Sequence, residues 1–273
     1  MTGKISVFGV GFIGSRFCEM YPDDVIPIKR ESSTPKSDDI LYLISTTDNY
    51  NHLPKDVTTN LWFLSAVLES LTSKNVFNFI SSWYIYSKNA ELPAKEFADD
   101  SGWPTGNYSL TKAFAEELVI QYCQREEIPY RIFRLANVFG KGDKFSKQKN
   151  ALQYLINEMR HNRDSELYWG GKFYRDYIWI DEVCRMLMDG MIITPVNSIY
   201  NVGSGRRILF KDLILLAHRV LGSTSKIRYM ESPEFHKKVA TKDFYMDTSK
   251  INSYGIKVTG SPYEQLVRMI LDE

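Results

Sequence analysis

The stretch Lys4-Ile5-Ser6-Val7-Phe8-Gly9-Val10-Gly11-Phe12-Ile13-Gly14-Ser15-Arg16-Phe17 decides the fold. Lys4–Val10 is mostly apolar, reads as a short strand, and runs into Gly9-x-Gly11-x-x-Gly14. A helical pattern follows, with Phe12, Ile13, Phe17 and Met20 apolar and Ser15, Arg16 and Glu19 polar. Between a strand and a helix, glycines at this spacing make a phosphate-binding turn. Gly9 and Gly11 permit the tight turn and close backbone approach to a pyrophosphate, and Gly14 lets helix and strand pack closely. The helix N-terminus adds N–H groups and the positive end of its dipole. A glycine turn with a purely structural role is the competing reading. The strand–turn–helix context favours a bound dinucleotide, with Gly9, Gly11, Phe12, Ile13 and Gly14 as its contacts.

Outward from this turn, short strands alternate with helices. Val25–Ile28 is a second strand, and Ile40–Ile44 is an unbroken apolar run of the kind buried on both faces of a parallel sheet. Asn60–Leu71 reads as a helix, Val76–Ile80 as a strand, Leu110–Arg125 as a long amphipathic helix and Tyr130–Leu135 as a strand. This order predicts an α/β fold, a Rossmann-like parallel sheet flanked by helices. Beyond Gly140 the pattern is less regular: Ala151–Arg160 and Lys211–Leu221 look helical, and Ile199–Val202 looks like a late strand of the sheet. The expected division is a dinucleotide-binding core of residues 1–140 plus about 174–205, and a smaller substrate lobe of about 141–173 plus 206–273.

Composition narrows the function classes. The chain has 273 residues, 34 Lys+Arg against 33 Asp+Glu, and a net charge of +1. Apolar residues at 44% and charged residues at 25% are ordinary globular values, which excludes disorder and collagen-like structure. A balanced charge gives no general attraction to nucleic acid or to anionic membranes. No apolar run has the length of a membrane-spanning helix, and no secretory leader pattern opens the chain. Cys18, Cys123 and Cys184 are far apart and lack metal-ligand spacing. They read as buried thiols of a reducing compartment, hence a cytoplasmic protein without a metal.

Two further clusters carry chemistry. Where a ribose-binding carboxylate would follow the second strand, the chain has Lys29-Arg30, cations suited to the 2′-phosphate of NADP, unless they belong to a solvated loop. Tyr108-x-x-x-Lys112 opens the long helix, and one turn puts both side chains on one face. A free tyrosine has a pKa of about 10, and a neighbouring ammonium is expected to lower it toward working pH. Ser82, just past the strand Val76–Ile80, adds a hydrogen bond to a substrate oxygen.

With these residues in place the chain resembles the extended short-chain dehydrogenases/reductases that act on nucleotide sugars, almost end to end. Gly9–Gly14 continues as GFIGS, and Asn60 begins a segment similar to NxxGTxxLLEAA. Phe79-Ile80-Ser81-Ser82-Trp83-Tyr84-Ile85-Tyr86 is similar to FxSSxxVYG, and Tyr108–Glu116 matches YxxxKxxxE. Arg134–Gly140 is similar to RxxNVYG, Arg175–Val183 to RDFIHVDDV, Tyr200–Gly205 to YNVGSG, and Asp247–Ile251 to DTSKI. The chain departs from the pattern at several points. Phe8 stands where the family's first glycine falls, Tyr42-Leu43-Ile44-Ser45 replaces HLAA, Ser87 replaces the glycine of VYG, and Lys141 replaces a proline. Between Arg30 and Ile40 there is no room for the family's third strand and its flanking helices, so the sheet is expected to be shortened after strand 2, with the adenine pocket undefined.

The resemblance implies that Tyr108 is the acid/base, that Lys112 tunes it and holds the nicotinamide ribose, and that Ser82 hydrogen-bonds the same sugar oxygen. It places Ser45 and Thr46 along the cofactor, NADP by the cations with NAD as the alternative. Asn137 and Arg175 fall at the positions that grip the diphosphate of a nucleotide-diphosphate sugar; an ion pair with Asp176 or Asp181 is the competing role for Arg175. Tyr84 is either a packed aromatic of the sugar pocket or a second acid/base. Dehydratases of the family carry Asp-Glu after the catalytic Ser/Thr, whereas this chain has Trp83-Tyr84. A 4-ketoreductase is the leading reading and a 4-epimerase with recycled cofactor the alternative. Non-catalytic NAD(P)-binding regulators of this fold typically lose the Tyr or the Lys, and both are present here. Relatives pair as homodimers through two helices, here Asn60–Leu71 and Leu110–Arg125, which carry Trp62, Phe63, Val67 and Leu71 and Phe114, Leu118, Val119 and Tyr122.

Overall fold

A computed structural model describes residues 3–46, 53–86, 90–97, 104, 106–142, 150–232, 234 and 243–272. In chain order the strands are β1 (Ile5–Phe8), β2 (Val25–Pro27), β3 (Asp39–Tyr42), β4 (Val76–Ser82), β5 (Tyr130–Leu135), β6 (Asn137–Phe139), β7 (Ser165–Tyr168), β8 (Tyr174–Arg175), β9 (Tyr177–Trp179), β10 (Ser198–Val202), β11 (Ile208–Leu209) and β12 (Ile227–Met230). The helices are α1 (Phe12–Met20), α2 (Leu53–Val57), α3 (Phe63–Leu68), α4 (Asn107–Arg125), α5 (Ala151–Arg160), α6 (Ile180–Ile193), α7 (Phe210–Val220), α8 (Ser249–Asn252) and α9 (Pro262–Leu271).

Six parallel strands form the central sheet in the order β10-β5-β4-β3-β1-β2. The chain leaves β1 toward β2 on one side and returns to β3 on the other, so the carboxyl ends of β1 and β3 border a topological switch point, where such sheets bind ligands. The sheet ends at β2, a short strand closing on Pro27, a residue that an edge strand tolerates. Among the described residues no further strand pairs beyond β2. The link from β2 to β3 carries no helix; it crosses the sheet where Ser6 Oγ meets Ser37 Oγ at 2.6 Å and accepts from the Lys36 amide at 2.8 Å.

Alternation along the strands builds two cores. Ile5, Val7, Leu41, Ile80, Phe133 and Val202 face α1 and α6, and Phe8, Ile40, Tyr42, Phe77, Phe79 and Ile132 face α3 and α4. A third core joins α5, α7 and α9 around Leu155, Leu213 and Leu266 and makes the smaller lobe.

The helix expected over Asn60–Leu71 has different limits. It begins earlier, as α2 with Pro54 in its first turn, passes through a π-helical turn at Thr58–Trp62, and α3 ends at Leu68. The extra residue of the π-turn coincides with buried Asn60, whose side chain is bonded into the fold. The long helix starts at Asn107, and its buried stripe includes Ser109, Thr111, Lys112 and Glu116, so its amphipathicity is weaker than its apolar pattern implied. Of the residues named for the helix-pair surface, Val67, Leu71 and Val119 are core, while Trp62 and Phe114 are 67% and 44% exposed.

Candidate active site

Strand carboxyl ends assemble the site. The glycine turn follows β1, Lys29 and Arg30 follow β2, Ser45 and Thr46 follow β3, Ser82 ends β4 and Asn137 follows β5. All of them, with Tyr84, Tyr108, Lys112 and Arg175, line one cavity of about 1720 Å³. Every residue singled out from the sequence as a candidate contact therefore faces a common space.

At the turn, Gly9 has φ +96°, and a Cβ there would lie 2.8 Å from the Ile44 amide nitrogen. A Cβ on Gly14 would lie 2.1 Å from the Gly9 carbonyl, so helix and strand touch only because it is absent. Gly11, by contrast, opens onto empty space, with no atom within 4 Å of a Cβ position. It is the N-cap of α1, and no side chain caps that end. An anionic group thus has backbone donors and clearance to approach them, so a dinucleotide diphosphate fits these residues. Lys29 and Arg30 are exposed at the cavity wall.

The Ser45 and Ser82 hydroxyls lie close enough to the Tyr108 phenol to favour its ionised form, and its ring meets the Tyr84 ring edge-on at 5.8 Å. Ser82 Oγ also accepts from the Tyr84 amide at 3.3 Å, which fixes it at the mouth of the turn Trp83–Ile85. Lys112 is 2% exposed; its Nζ donates to the Ile80 carbonyl at 2.7 Å and lies 4.2 Å from the centre of the Phe79 ring. Burial lowers Lys112 to about 7, partly opposed by Glu116. Burial raises Tyr108 above its ordinary value, and the two serine hydroxyls pull the other way. Contrary to the expectation from the helix spacing, Lys112 does not lower the tyrosine in this geometry. Desolvation outweighs the helix-face pairing, and the ammonium is turned to a backbone carbonyl.

Arg175 is 8% exposed, with its guanidinium over the rings of Trp83 at 5.3 Å and Phe173 at 4.9 Å, and Nη1 donating to the Tyr174 carbonyl at 2.9 Å. The carboxylates weighed as its partners are engaged elsewhere. Asp181 pairs with Arg16 at 2.7 Å, and Asp176 accepts from the Ser204 amide and hydroxyl and the Gly205 amide. The Asn137 side-chain amide donates to the Asp176 carbonyl at 3.0 Å. Trp83 stacks between Tyr84 at 4.0 Å and Phe244 at 4.7 Å, making an aromatic wall beside Ser82.

Asn60 has a role that its motif alone did not disclose. It accepts from the Thr46 amide at 2.9 Å and the Ser45 hydroxyl at 3.2 Å, and donates to Thr111 Oγ1 at 3.0 Å. It thereby ties the loop after β3 to the helix that bears Tyr108. The available signal was a polar residue on the core-facing side of an apolar helical stretch. Farther in, Glu116, Arg134, Tyr86 and Asn201 form a buried polar network, which explains why four of the quoted motifs carry those residue types. No helix among the described residues is long and apolar enough to cross a membrane.

Comparison with known proteins agrees with this geometry. Residues 36–203 match the family described as the NAD dependent epimerase/dehydratase family. The dTDP-4-dehydro-6-deoxyglucose reductase of Escherichia coli is 25% identical over 161 residues, 59% of this chain and 49% of that protein. The chain spans about half the length of several curated relatives it matches. Among solved structures, the UDP-glucose 4-epimerase of Thermotoga maritima with UDP-glucose aligns at TM-score 0.88, with 19% identity over 98% of this chain and 97% of that one. RMD from Pseudomonas aeruginosa complexed with NADPH aligns at TM-score 0.84, with 20% identity over 99% and 98% of the two chains. These likenesses show a shared fold, and the family match covers more than half of the chain. The protein belongs to the NAD dependent epimerase/dehydratase family.

Proposed function

We propose that the protein is an NADPH-dependent 4-ketoreductase of nucleotide-diphosphate sugars. The observation that carries the reading is the convergence of Ser82, Tyr108 and Lys112 on the cavity that also receives the uncapped glycine turn and Arg175. When bound, the dinucleotide supplies the hydride. Tyr108 gives its proton to the sugar oxygen, Ser82 hydrogen-bonds that oxygen, and Lys112 leaves the Ile80 carbonyl to hold the ribose. Gly9, Gly11, Phe12, Ile13, Gly14, Ser45 and Thr46 hold the rest of the cofactor, and Lys29 and Arg30 select the 2′-phosphate. Arg175 and Asn137 grip the sugar's diphosphate, and Tyr84 with Trp83 walls the sugar.

Residues 1–140 with about 174–205 form the cofactor half, and the remaining segments form the substrate half. The protein works in the cytoplasm, in keeping with its three free thiols, as a homodimer through the surface of Trp62 and Phe114. A 4-epimerase is the second reading, favoured by a cavity of about 1720 Å³ that leaves a keto-sugar room to turn. Thermal shifts with a panel of nucleotide sugars and with NADP and NAD test the binding half of the proposal, because a bound ligand stabilises by mass action. NADP should stabilise more than NAD, and equal shifts would remove the role given to Lys29 and Arg30. NADPH consumption separates the two activities.

A further inference from the structure

Asp176 has no part in the proposed chemistry, yet it is buried between two residues that line the cavity. Arg175 and Tyr177 face that space and Asp176 does not, as alternation along an extended chain requires. Its carboxylate is met by donors on both oxygens. Oδ1 accepts from the Ser204 amide at 2.8 Å and the Ser204 hydroxyl at 2.6 Å. Oδ2 accepts from the Gly205 amide at 3.0 Å and, less closely, from the Met246 amide at 3.4 Å. A Cβ on Gly203 would lie 2.6 Å from Oδ2, so the turn after β10 leaves room for this carboxylate. An asparagine does not satisfy the same set, because one of its terminal atoms would present N–H groups to N–H groups.

The main chain of the same residue closes a second set of bonds. Its carbonyl accepts from the Asn137 amide and from the Asn137 side chain, each at 3.0 Å. On its other side Arg175 pairs with Ile208 in β11 and is bridged to Phe244, whose amide donates to the Tyr174 carbonyl at 3.0 Å. Asp176 thus ties together β6, the turn after β10 and the chain before α8. The rings of Trp83 and Phe173 steady the Arg175 head, and the bonds around Asp176 set its root. We infer that Asp176 is a positioning residue that holds Arg175 and Asn137 in register for the diphosphate of the sugar nucleotide. The inference deepens the proposed function and rests on the diphosphate grip given there to those two side chains. A planar guanidinium makes parallel bonds to phosphate oxygens only where its placement is fixed, within about 0.5 Å and 10–20°. Keeping a carboxylate out of water is costly, and what this one secures is that placement. Burial pushes the Asp176 carboxyl up to about 6, opposed by the Ser204, Gly205 and Met246 donors.

The test measures binding of UDP, dTDP and GDP by titration calorimetry at slightly alkaline pH, with saturating NADP or, where it binds more tightly, NAD. The comparison uses the diphosphate that the native protein binds best. Asp176→Asn should weaken it about tenfold, the scale of one lost hydrogen bond to a charged group, while dinucleotide affinity stays native. Ser204→Ala removes the hydroxyl donor alone, serves where the asparagine variant does not fold, and should weaken binding in the same direction. Arg175→Met should weaken it more, and in that background Asp176→Asn should add less than its own loss. Native diphosphate affinity in Asp176→Asn and Ser204→Ala would overturn the inference and leave the grip in place. So would an equal loss of dinucleotide affinity, or strict additivity with Arg175→Met, since both mark a merely structural role. Native affinity in Arg175→Met would sink the diphosphate grip itself, and the inference with it.

Discussion

Glu116→Gln leaves the Arg134 guanidinium buried beside a neutral amide. In the native protein Arg134 Nη2 lies 2.7 Å from Glu116 Oε2, and Nε donates to both carboxylate oxygens at 3.1 and 3.2 Å. The two side chains keep only 10% and 5% of their exposure. What remains after the change is Nη1, which donates to the Tyr86 hydroxyl at 3.1 Å and the Glu96 carbonyl at 3.0 Å. Removing one partner of a buried pair costs about 3–5 kcal/mol, because the other charge is stranded away from water. Glutamine keeps an acceptor oxygen near the same place, so the expected loss is at the low end, about 3 kcal/mol. At ~2–4 °C per kcal/mol in a chain of this general size, the melting temperature falls by about 6–12 °C. Urea unfolding of Glu116→Gln, Arg134→Met and the double variant closes the cycle, and the double variant should lose less than the sum of the single ones. A loss below about 1 kcal/mol, the scale of an exposed pair, or strict additivity would refute the reasoning.

The Tyr42 hydroxyl is buried with no partner among the described residues, its ring lying between Phe8, Phe77 and Phe79, so Tyr42→Phe should gain about 1 kcal/mol in the same unfolding assay. Lowered stability there would reveal a partner for the hydroxyl. Burial brings Lys112 from 10.5 to about 7, so between those values the folded protein binds fewer protons than the unfolded chain. The Lys112 contribution to stability should rise with pH across that window and be lost as pH falls through about 7. Lys112→Met should abolish that slope, and parallel stability profiles for the two proteins would contradict it. Tyr108→Phe should lower turnover by roughly 10²–10⁴-fold with dinucleotide affinity kept, whereas Lys112→Met should damage both; full activity in Tyr108→Phe would end the assigned chemistry.

The parts legible in the sequence are those where backbone geometry restricts the residue type. Gly9 needs a positive φ and Gly14 a missing Cβ, so the turn announces itself, and the motif order places Ser82, Tyr108 and Lys112 at strand ends and a helix start. The shortened sheet follows from counting residues between Arg30 and Ile40. Spacing carries no information about depth or direction. It put Tyr108 and Lys112 on one face of a helix, but burial, which raises the one and lowers the other, appears only with the packed fold. The same holds for Asn60, whose partners Thr46 and Thr111 come from the loop after β3 and from α4, which its own helix pattern does not describe.

The most direct test of the central claim follows NADPH absorbance while the protein is given a 4-keto sugar nucleotide, with the sugar products separated at intervals. One NADPH should be consumed for each keto-sugar reduced to a single 4-hydroxy product, with Tyr108→Phe slow by roughly 10²–10⁴-fold. Interconversion of two sugar nucleotides that differ at C4, with no net change in NADPH and no added cofactor, would contradict it and establish the epimerase.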